Sequence, residues 1–481
     1  MSKEIGITTK RAENFSEWYV QTVIKAGLAD YAATKGFIVL RPYGYAIWER
    51  IQKFIDFHLK KNGHQNAYFP LLIPESLLSK ETEHFAGFVP EVFWVTQAGN
   101  NPIGERLATR PTSETIAYAS FGKWIRSWRD LPLLLNLWNS VLRAEIKATR
   151  PFIRTSEFLW QEGHTVHASK EEADAEVMMI AQLYRRLLED ILAIPIKMGY
   201  KSDKEKFVGA LYTVTLEAMM PDGKALQMGT SHNLGQNFSK PFEIRFLGKD
   251  GQEHYAWQSS WGISWRLIGA TTMVHGDDRG LVLPPRIAPL QCVIVPIFYK
   301  EGDIDKILSK AQEVLTSLAS QKIRVYVDLR DQYTPGWKFN EWEMKGVPIR
   351  IEIGPKDVEK GQITVVRRDT AEKSFIKIDD AATEIKKYLL QIQKSLYEKA
   401  KELLASKTKT ANSYGELRNY VEADVGFVKA PWCGKRECEQ QVKEETGADI
   451  RLIPLEEEKP APKCIVCGEN AIHTVHFARA Y

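Results

Sequence analysis

The sequence predicts an α+β chain in three parts, and three observations carry that prediction. First, Leu142 to His164, LRAEIKATRPFIRTSEFLWQEGH, packs three arginines, three glutamates and three aromatics into 23 residues in the pattern strand, basic loop, strand. Second, the pattern changes near residue 288, after LVLPPRIAP, to alternating strands and helices, as in a small α/β domain with a largely parallel sheet. Third, four of the five cysteines fall in the last 50 residues. The expected boundaries are 1–287, 288–380, a helical linker over 381–410, and a C-terminal domain over 411–481.

At 481 residues and 44% apolar content, the chain has the size of several domains and the composition of a soluble globular protein. No run of about 18 apolar residues occurs, which excludes a transmembrane helix from the expectation. The stretch MSKEIGITTKRAENFSEWY lacks the apolar segment of a secretory signal, so a cytoplasmic protein without membrane contact is expected. The net charge of +4 does not identify a nucleic-acid partner, and any basic footprint is local.

Cys433, Cys438, Cys464 and Cys467 form C-x4-C and C-x2-C separated by 25 residues. In a reducing compartment this spacing reads as four thiolates around one tetrahedral Zn2+ rather than as disulfides. Gly434 and Gly468 follow the first and fourth cysteines and let the backbone turn around a metal. No base or open ligand position accompanies them, so the zinc is expected to be structural.

In chain order, residues 14 to 35 are helical in pattern, with Trp18, Val23 and Ala26 facing inward. Residues 44 to 61 form an amphipathic helix in which Ile47, Ile51, Phe54, Ile55 and Leu59 recur at three- and four-residue steps. AYFPLLIPESLL reads as a strand that Pro70 and Pro74 confine to a sheet edge or an interface. Thr109 to Glu114 is a polar turn before a helix: Thr112 or Ser113 can cap it, or Thr112 and Glu114 can rim a pocket and bind an amine. In the hairpin, Arg143 and Glu145 share a face of the outgoing strand, and Arg154, Ser156, Phe158, Trp160 and Glu162 share a face of the returning one. That face is either salt-bridged or built for an anionic, planar ligand such as a nucleotide. Residues 170 to 192 make a helix with a core stripe. ALYTVTLEAMM and LQMGTSHNLGQNF are strands around a turn at Pro221 to Gly223, and the second sets Thr230 and His232 on one face. WQSSWGISWRLIGATTMVHGDDRG begins small and polar and becomes helical, with Gly262 four residues before Arg266. Beyond 288, CVIVPIFY, IRVYVDLR, PIRIEIG, GQITVVRR and SFIKI are strands, and a long helix covers 381 to 407.

Three of these stretches together resemble the class II aminoacyl-tRNA synthetases. Arg143-Ala144-Glu145, a loop, and Arg154-x-x-x-Phe158 resembles their motif 2. The helix and proline-marked strand at 44 to 75 resembles motif 1, the dimer element, and Gly262 to Arg266 with Gly269 resembles a thinned motif 3. RPTSET, FLWQEGHT, QMGTSHNLGQNF and MVHGDDRGLVLPP are similar to the prolyl-tRNA synthetases of the archaeal and eukaryotic-cytoplasmic type. Motifs 2 and 3 lie about 100 residues apart, without room for a large editing insertion, a cysteine-rich domain follows the α/β domain, and the last residue is Tyr481.

That resemblance implies a class II catalytic fold, an antiparallel sheet flanked by helices, then an anticodon-binding α/β domain, in a homodimer. It implies ligation of L-proline to the 3′ end of the proline tRNA through prolyl-adenylate, with ATP and its Mg2+. The implied ATP site is Arg143, Glu145, Arg154, Thr155, Phe158, Gln227, Ser264 and Arg266. Arg143 and Arg266 are its catalytic cations, since a guanidinium suits the charge that grows on an attacked phosphate. Phe158 and Arg266 would cover the two faces of adenine. The implied proline site is Thr112, Glu114, Arg143, Trp160, His164, Thr230 and His232, with one carboxylate and one neutral acceptor for the two hydrogens of a secondary ammonium. Lys338, Glu341, Arg350 and Lys356 are the expected anticodon contacts, and the loop with Lys147 and Arg150 is the expected contact for the tRNA acceptor end. The terminal Tyr481 is implied to fold back toward the catalytic domain. Two rival readings are a non-catalytic tRNA-binding paralogue and a class II synthetase for another amino acid, such as threonine; against them stand the five intact motif residues and the lack of a cysteine within the catalytic region.

Overall fold

The computed structural model describes residues 6–84, 91–144, 148–298, 303–456 and 460–481. Helix α1 (Phe15–Lys25) is capped by the Asn14 side chain, which accepts from the Glu17 N–H. It ends ten residues short of the expected 35, because Gly27 takes φ +74 and Ala29–Tyr31 pairs as a strand with Ile38–Leu40. Helix α2 (Pro42–Lys61) begins on proline, where a missing N–H costs nothing, and buries Ile47, Ile51, Ile55 and Leu59. The expected strand after it is short: Leu72–Pro74 pairs, and a helix starts at once at Glu75.

The sheet that the resemblance marks as catalytic is built from β1 (Gln65–Asn66), β2 (Leu133–Leu142), β3 (Glu157–His167), β4 (Lys197–Tyr200), β5 (Tyr212–Met219), β6 (Ala225–Gly235) and β7 (Trp257–Ser264). Its neighbours run antiparallel except β1 with β2. Helices α3 (Glu114–Trp124), α4 (Lys170–Arg186) and α5 (Arg266–His275) belong to this part, and α4 lies across β6, β7 and β5. The helix expected over 170–192 leaves α geometry at Arg186 and finishes as a π turn over Leu187–Ile191. The hairpin strands are shorter than their charge pattern suggested. Arg143 follows the end of β2, and Arg154 and Ser156 precede β3, so that Phe158, Trp160 and Glu162 alone of that set alternate along a strand.

The second sheet contains β8 (Cys292–Pro296), β9 (Val325–Val327), β10 (Ile349–Ile353), β11 (Gln362–Arg367) and β12 (Lys373–Lys377), in the order β9-β8-β10-β11-β12. Helices α6 (Ile304–Ser320) and α7 (Pro335–Met344) supply its crossovers. Only β9, β8 and β10 are parallel; β11 and β12 return antiparallel. The sheet is therefore less parallel than the strand and helix alternation suggested. The connection from β10 to β11 is too short for the crossover of a dozen or more residues that parallel strands need.

Helix α8 (Ala381–Ser406) leads to β13 (Thr408–Thr410), β14 (Phe427–Trp432), α9 (Arg436–Thr446), β15 (Asp449–Pro454) and β16 (His473–Ala478). These strands do not form a separate sheet. Tyr200 and Gly199 of β4 pair with Ile453 and Pro454 of β15, so one sheet of 11 strands runs from β13 through the catalytic region to β1. Gly199 makes this seam possible, since a Cβ there would come within 2.2 Å of the Ile453 carbonyl oxygen.

Gly163 of β3 performs a similar service inside the catalytic sheet. It faces Trp261 of β7, and a Cβ would lie 2.1 Å from the indole of this 2% exposed residue. Gly163→Ala should therefore destabilise the protein by about 1–3 kcal/mol, as overpacked cores do. Urea unfolding followed by tryptophan fluorescence should show the lower midpoint, and a midpoint equal to wild type would refute the close packing.

Candidate active site

Two connected hollows open on the face of the catalytic sheet. The first, of about 280 Å³, is lined by Thr112, Glu114, Trp160, Glu162, His164, Gln227, Thr230 and His232 among others. The second, of about 350 Å³, is lined by Arg154, Thr155, Phe152, Ile153, Trp265 and Tyr481. Arg143, Phe158, Ser264 and Arg266 line both.

The acidic side is assembled around Glu162, 2% exposed. Ser113 donates to it through its hydroxyl and, at 3.3 Å, its backbone N–H; Asn139 Nδ2 donates at 3.0 Å and His164 Nε2 lies at 3.1 Å. Burial alone would raise the pKa of Glu162, but these partners, His164 foremost, hold it below the ordinary carboxylate value. The Ser113 hydroxyl therefore serves Glu162 and makes no helix cap. The loop before it is anchored by Arg110, 2% exposed, which donates to the carbonyls of Ser140 (2.9 Å) and Phe69 (2.6 Å). Thr112 donates to Glu114, itself 5% exposed. Asn139 Oδ1 accepts from Trp160 Nε1 at 2.6 Å and so fixes the indole. On the far wall His232 contacts Thr213 Oγ1 at 2.8 Å, and burial with the nearby His164 pushes its pKa down to about 3.

The basic side gathers guanidiniums. Arg143 stands over Phe158 at 5.3 Å and Trp160 at 5.8 Å, and its Nε donates to the Pro111 carbonyl at 3.2 Å. Arg266, the first residue of α5, donates to the Gln227 carbonyl at 3.3 Å, while its buried Nε has no hydrogen-bond partner among the described residues. Burial, then Arg143, lowers its pKa to about 10, so it remains a cation at neutral pH. Arg150 is packed between the rings of Tyr19 and Tyr481, at 5.1 and 4.9 Å. It is thus part of a wall, not a loop side chain reaching into solvent. Tyr481 donates to the Asp222 carboxylate at 2.5 Å, and its N–H to the Ala225 carbonyl at 3.2 Å. An acidic pocket joined to a cationic one through a shared arginine suits the joining of an ammonium-bearing carboxylate to a phosphate.

Three family models match in order: the tRNA synthetase class II core domain (G, H, P, S and T) over residues 93–275, the anticodon binding domain over 291–388, and the C-terminal domain of prolyl-tRNA synthetase over 414–481. A proline–tRNA ligase of Cenarchaeum symbiosum is 57% identical over 99% of this chain and 100% of its own. The chain belongs to the proline–tRNA ligases. A further ligase of that name, from Alkaliphilus oremlandii, is 54% identical over 97% of this chain and 96% of its own, and one from Natranaerobius thermophilus is 51% identical over 98% of both.

Within this ligase, the seven residues expected around proline all line the first hollow. Of those expected around ATP, Arg143, Phe158, Ser264 and Arg266 line both hollows, Arg154 and Thr155 the second, and Gln227 the first. Glu145, like Lys147, lies outside the described residues. Lys201, Phe207 and Thr213 also line the first hollow, and no spacing or motif pointed to them.

The expected anticodon residues fare unequally. Lys338 is turned inward, 4% exposed, with its ammonium on the Asp328 carbonyl at 3.1 Å. Glu341 binds Arg330 and Lys345, and Arg350 pairs with Glu352 at 2.9 Å over the Phe339 ring. Lys356 is exposed. The four tail cysteines come together: Cys433 Sγ lies 3.6 Å from Cys438 Sγ and 3.7 Å from Cys467 Sγ, and all four sulfurs lie within 4.8 Å of one another. These separations are far beyond the S–S bond of about 2.05 Å. They match the edge of about 3.8 Å that four ligands at about 2.3 Å from zinc define.

His232 gives the site a signature in acid. Unfolded, its imidazole charges near its ordinary value of 6.5; folded, only near 3. Between those values the unfolded chain binds more protons, so this group's contribution to stability grows with pH and is lost on acidification. His232→Gln should flatten the dependence of the urea midpoint on pH between 4 and 6.5. An unchanged slope would contradict an imidazole kept neutral in the folded protein.

Proposed function

We propose that the double hollow activates L-proline with ATP and then passes the prolyl group to the 3′-terminal adenosine of the proline tRNA. The observation that carries this reading is the sharing of Arg143, Phe158, Ser264 and Arg266 by both hollows. A carboxylate entering from the acidic side and a phosphate entering from the basic side meet at one guanidinium.

In the acidic hollow, Glu114 accepts one hydrogen of the proline ammonium. The Thr112 hydroxyl spends its proton on Glu114 and keeps its lone pairs for the other hydrogen. Trp160, His164, Thr230 and His232 wall the ring. The proline carboxylate attacks the α-phosphorus; the new oxygen–phosphorus bond forms as the bond to the β-phosphate breaks and pyrophosphate leaves. Arg143 and Arg266 hold the charge on the non-bridging oxygens, and a guanidinium donates to two such oxygens at once. Phe158 and Arg266 cover adenine, Arg154 and Thr155 hold the outer phosphates, and Gln227 and Ser264 line the nucleotide between them. Glu145 belongs to the same set by its motif. No general base is required, because the nucleophile is already an anion and positioning supplies the rate. Magnesium arrives with ATP and adds positive charge to its phosphates.

We assign the acceptor end of the tRNA to the loop that follows Arg143, and the anticodon to Glu341, Arg350 and Lys356, with Lys338 in a supporting role beneath them. A homodimer would cover the exposed rings of Phe57 and Tyr68, on and just after α2. Among the described residues no helix is long and apolar enough to cross a membrane. The cytoplasm suits the reading, since tRNA, ATP and reduced thiols coexist there.

ATP–pyrophosphate exchange across the amino acids tests this function. Proline should drive exchange most strongly, and alanine and cysteine weakly, because a pocket of this size separates residues that differ by a methylene by only about 1–3 kcal/mol. Arg143→Ala should lose at least a hundredfold in kcat/KM while keeping the wild-type circular dichroism spectrum. Stronger exchange with another amino acid, or none at all, would refute the reading.

The four thiolates are proposed to hold one structural Zn2+ per chain. Elemental analysis of the purified protein should give about one equivalent, and Cys464→Ser should lower it together with the thermal midpoint. A metal-free protein with an intact midpoint would exclude the site.

A further inference from the structure

Glu217, on β5, is fully buried and lines neither hollow. It accepts from Lys201 Nζ at 2.8 Å and from the Thr215 hydroxyl at 2.8 Å. Its remaining capacity goes to Arg451, which comes from β15, 234 positions away in sequence: Nε lies 3.2 Å from Oε2, and Nη2 lies 3.1 and 3.0 Å from the two oxygens. Both residues sit at register irregularities, Glu217 between β5 and β6 and Arg451 between β15 and β16. Such bulges re-aim side chains, and here they turn an arginine across the short strand β4 toward a carboxylate.

What this carboxylate holds is the nucleotide half of the site. Glu217 stands opposite Gln227 in the β5–β6 pairing, and the Gln227 carbonyl accepts from Arg266. Glu217 is also the anion that opposes the crowding of Arg266 by Arg143, Arg451 and Arg154. Lys201, 7% exposed, lines the first hollow, and among the described residues Glu217 is the one hydrogen-bond acceptor of its ammonium. Its other hydrogens are left for whatever fills the hollow.

We propose that Arg451 is a positioning residue of the C-terminal domain that acts through Glu217 to set Lys201, Gln227 and Arg266 for ATP, so that the nucleotide subsite is incomplete without that domain. Thr112, Glu114, Trp160 and His164 are held by Ser113, Asn139 and Glu162, on the turn before α3, β2 and β3, with β6 and β7 between those strands and β5, so the effect falls on ATP rather than on proline. A merely structural ion pair would move both substrates together.

This inference rests on the assignment of Arg266 to the nucleotide. The test is tRNA-independent ATP–pyrophosphate exchange, with KM measured for each substrate, on Arg451→Met and Arg451→Lys. Thermal unfolding of each variant is followed alongside. Arg451→Met should raise KM for ATP at least tenfold and KM for proline less than twofold. Arg451→Lys keeps the charge but loses the two-nitrogen grip, and should fall between wild type and Arg451→Met. Should Arg451→Met not fold, Arg451→Lys carries the test: a raised KM for ATP at unchanged KM for proline supports the proposal, and a wild-type KM for ATP overturns it. Equal rises in both KM values with a lowered unfolding midpoint also overturn it. Arg266→Ala separates the two readings. If it keeps a wild-type KM for ATP, the nucleotide assignment itself falls. If it raises that KM while Arg451→Lys does not, only the role of Arg451 falls.

Discussion

A carboxylate at 2% exposure is costly as an anion unless its oxygens are filled, and Glu162 fills them from three elements at once. Ser113 comes from the turn before α3, Asn139 from β2, and His164 from its own strand, two residues on. Each of these donors is tied to something that a ligand would touch. Ser113 sits between Thr112 and Glu114. Asn139 turns the Trp160 indole. His164 presents its other nitrogen to Tyr118 at 3.2 Å. The pocket is thus preorganised by one buried charge, and the side chains around it inherit their geometry from it.

The basic half is organised in the opposite sense. Cations crowd together, and one buried anion offsets them. Arg143 and Arg154 repel Arg266, and burial of Arg266 followed by Arg143 depresses its pKa to about 10. A crowd of cations of this kind is electrostatically strained, and a polyphosphate entering it would relieve the strain. Glu217 keeps the strain tolerable until then, and its grip from Lys201 and Arg451 keeps its own proton off in spite of burial.

The parts of this molecule that were legible in its sequence are those whose partners lie close by in the chain. The helix around Ile47, Ile51 and Ile55 was legible from its period, and the β2–β3 hairpin from its charges and rings. The four cysteines were legible because their spacing has few chemical explanations. The residues proposed for proline and nucleotide came from motif resemblance, and every described one of them lines a hollow. What escaped was long range. Nothing in the neighbourhood of Arg451 hints that it meets Glu217, because a pair 234 positions apart leaves no local trace. Lys338 shows the same limit at shorter range. A lysine on an amphipathic helix reads as solvated, yet Asp328, a buried carboxylate ten residues earlier, draws it inward. The parallel sheet was overestimated for a similar reason, since alternation of strands and helices says nothing of the direction in which the last two strands return.

The seam between β4 and β15 has a consequence for how such a chain is made. Tyr200 and Ile453 pair across 253 positions. At a synthesis rate of roughly 5–20 residues per second, β4 leaves the ribosome some tens of seconds before its outer neighbour exists. During that interval the catalytic sheet has an open edge, the kind of surface that other chains can pair with. β4 is only four residues long, begins with a lysine and carries a glycine, features that make an edge a poor template. The brevity of this strand, which Arg451 crosses to meet Glu217 in the finished molecule, also shields the unfinished one from its neighbours.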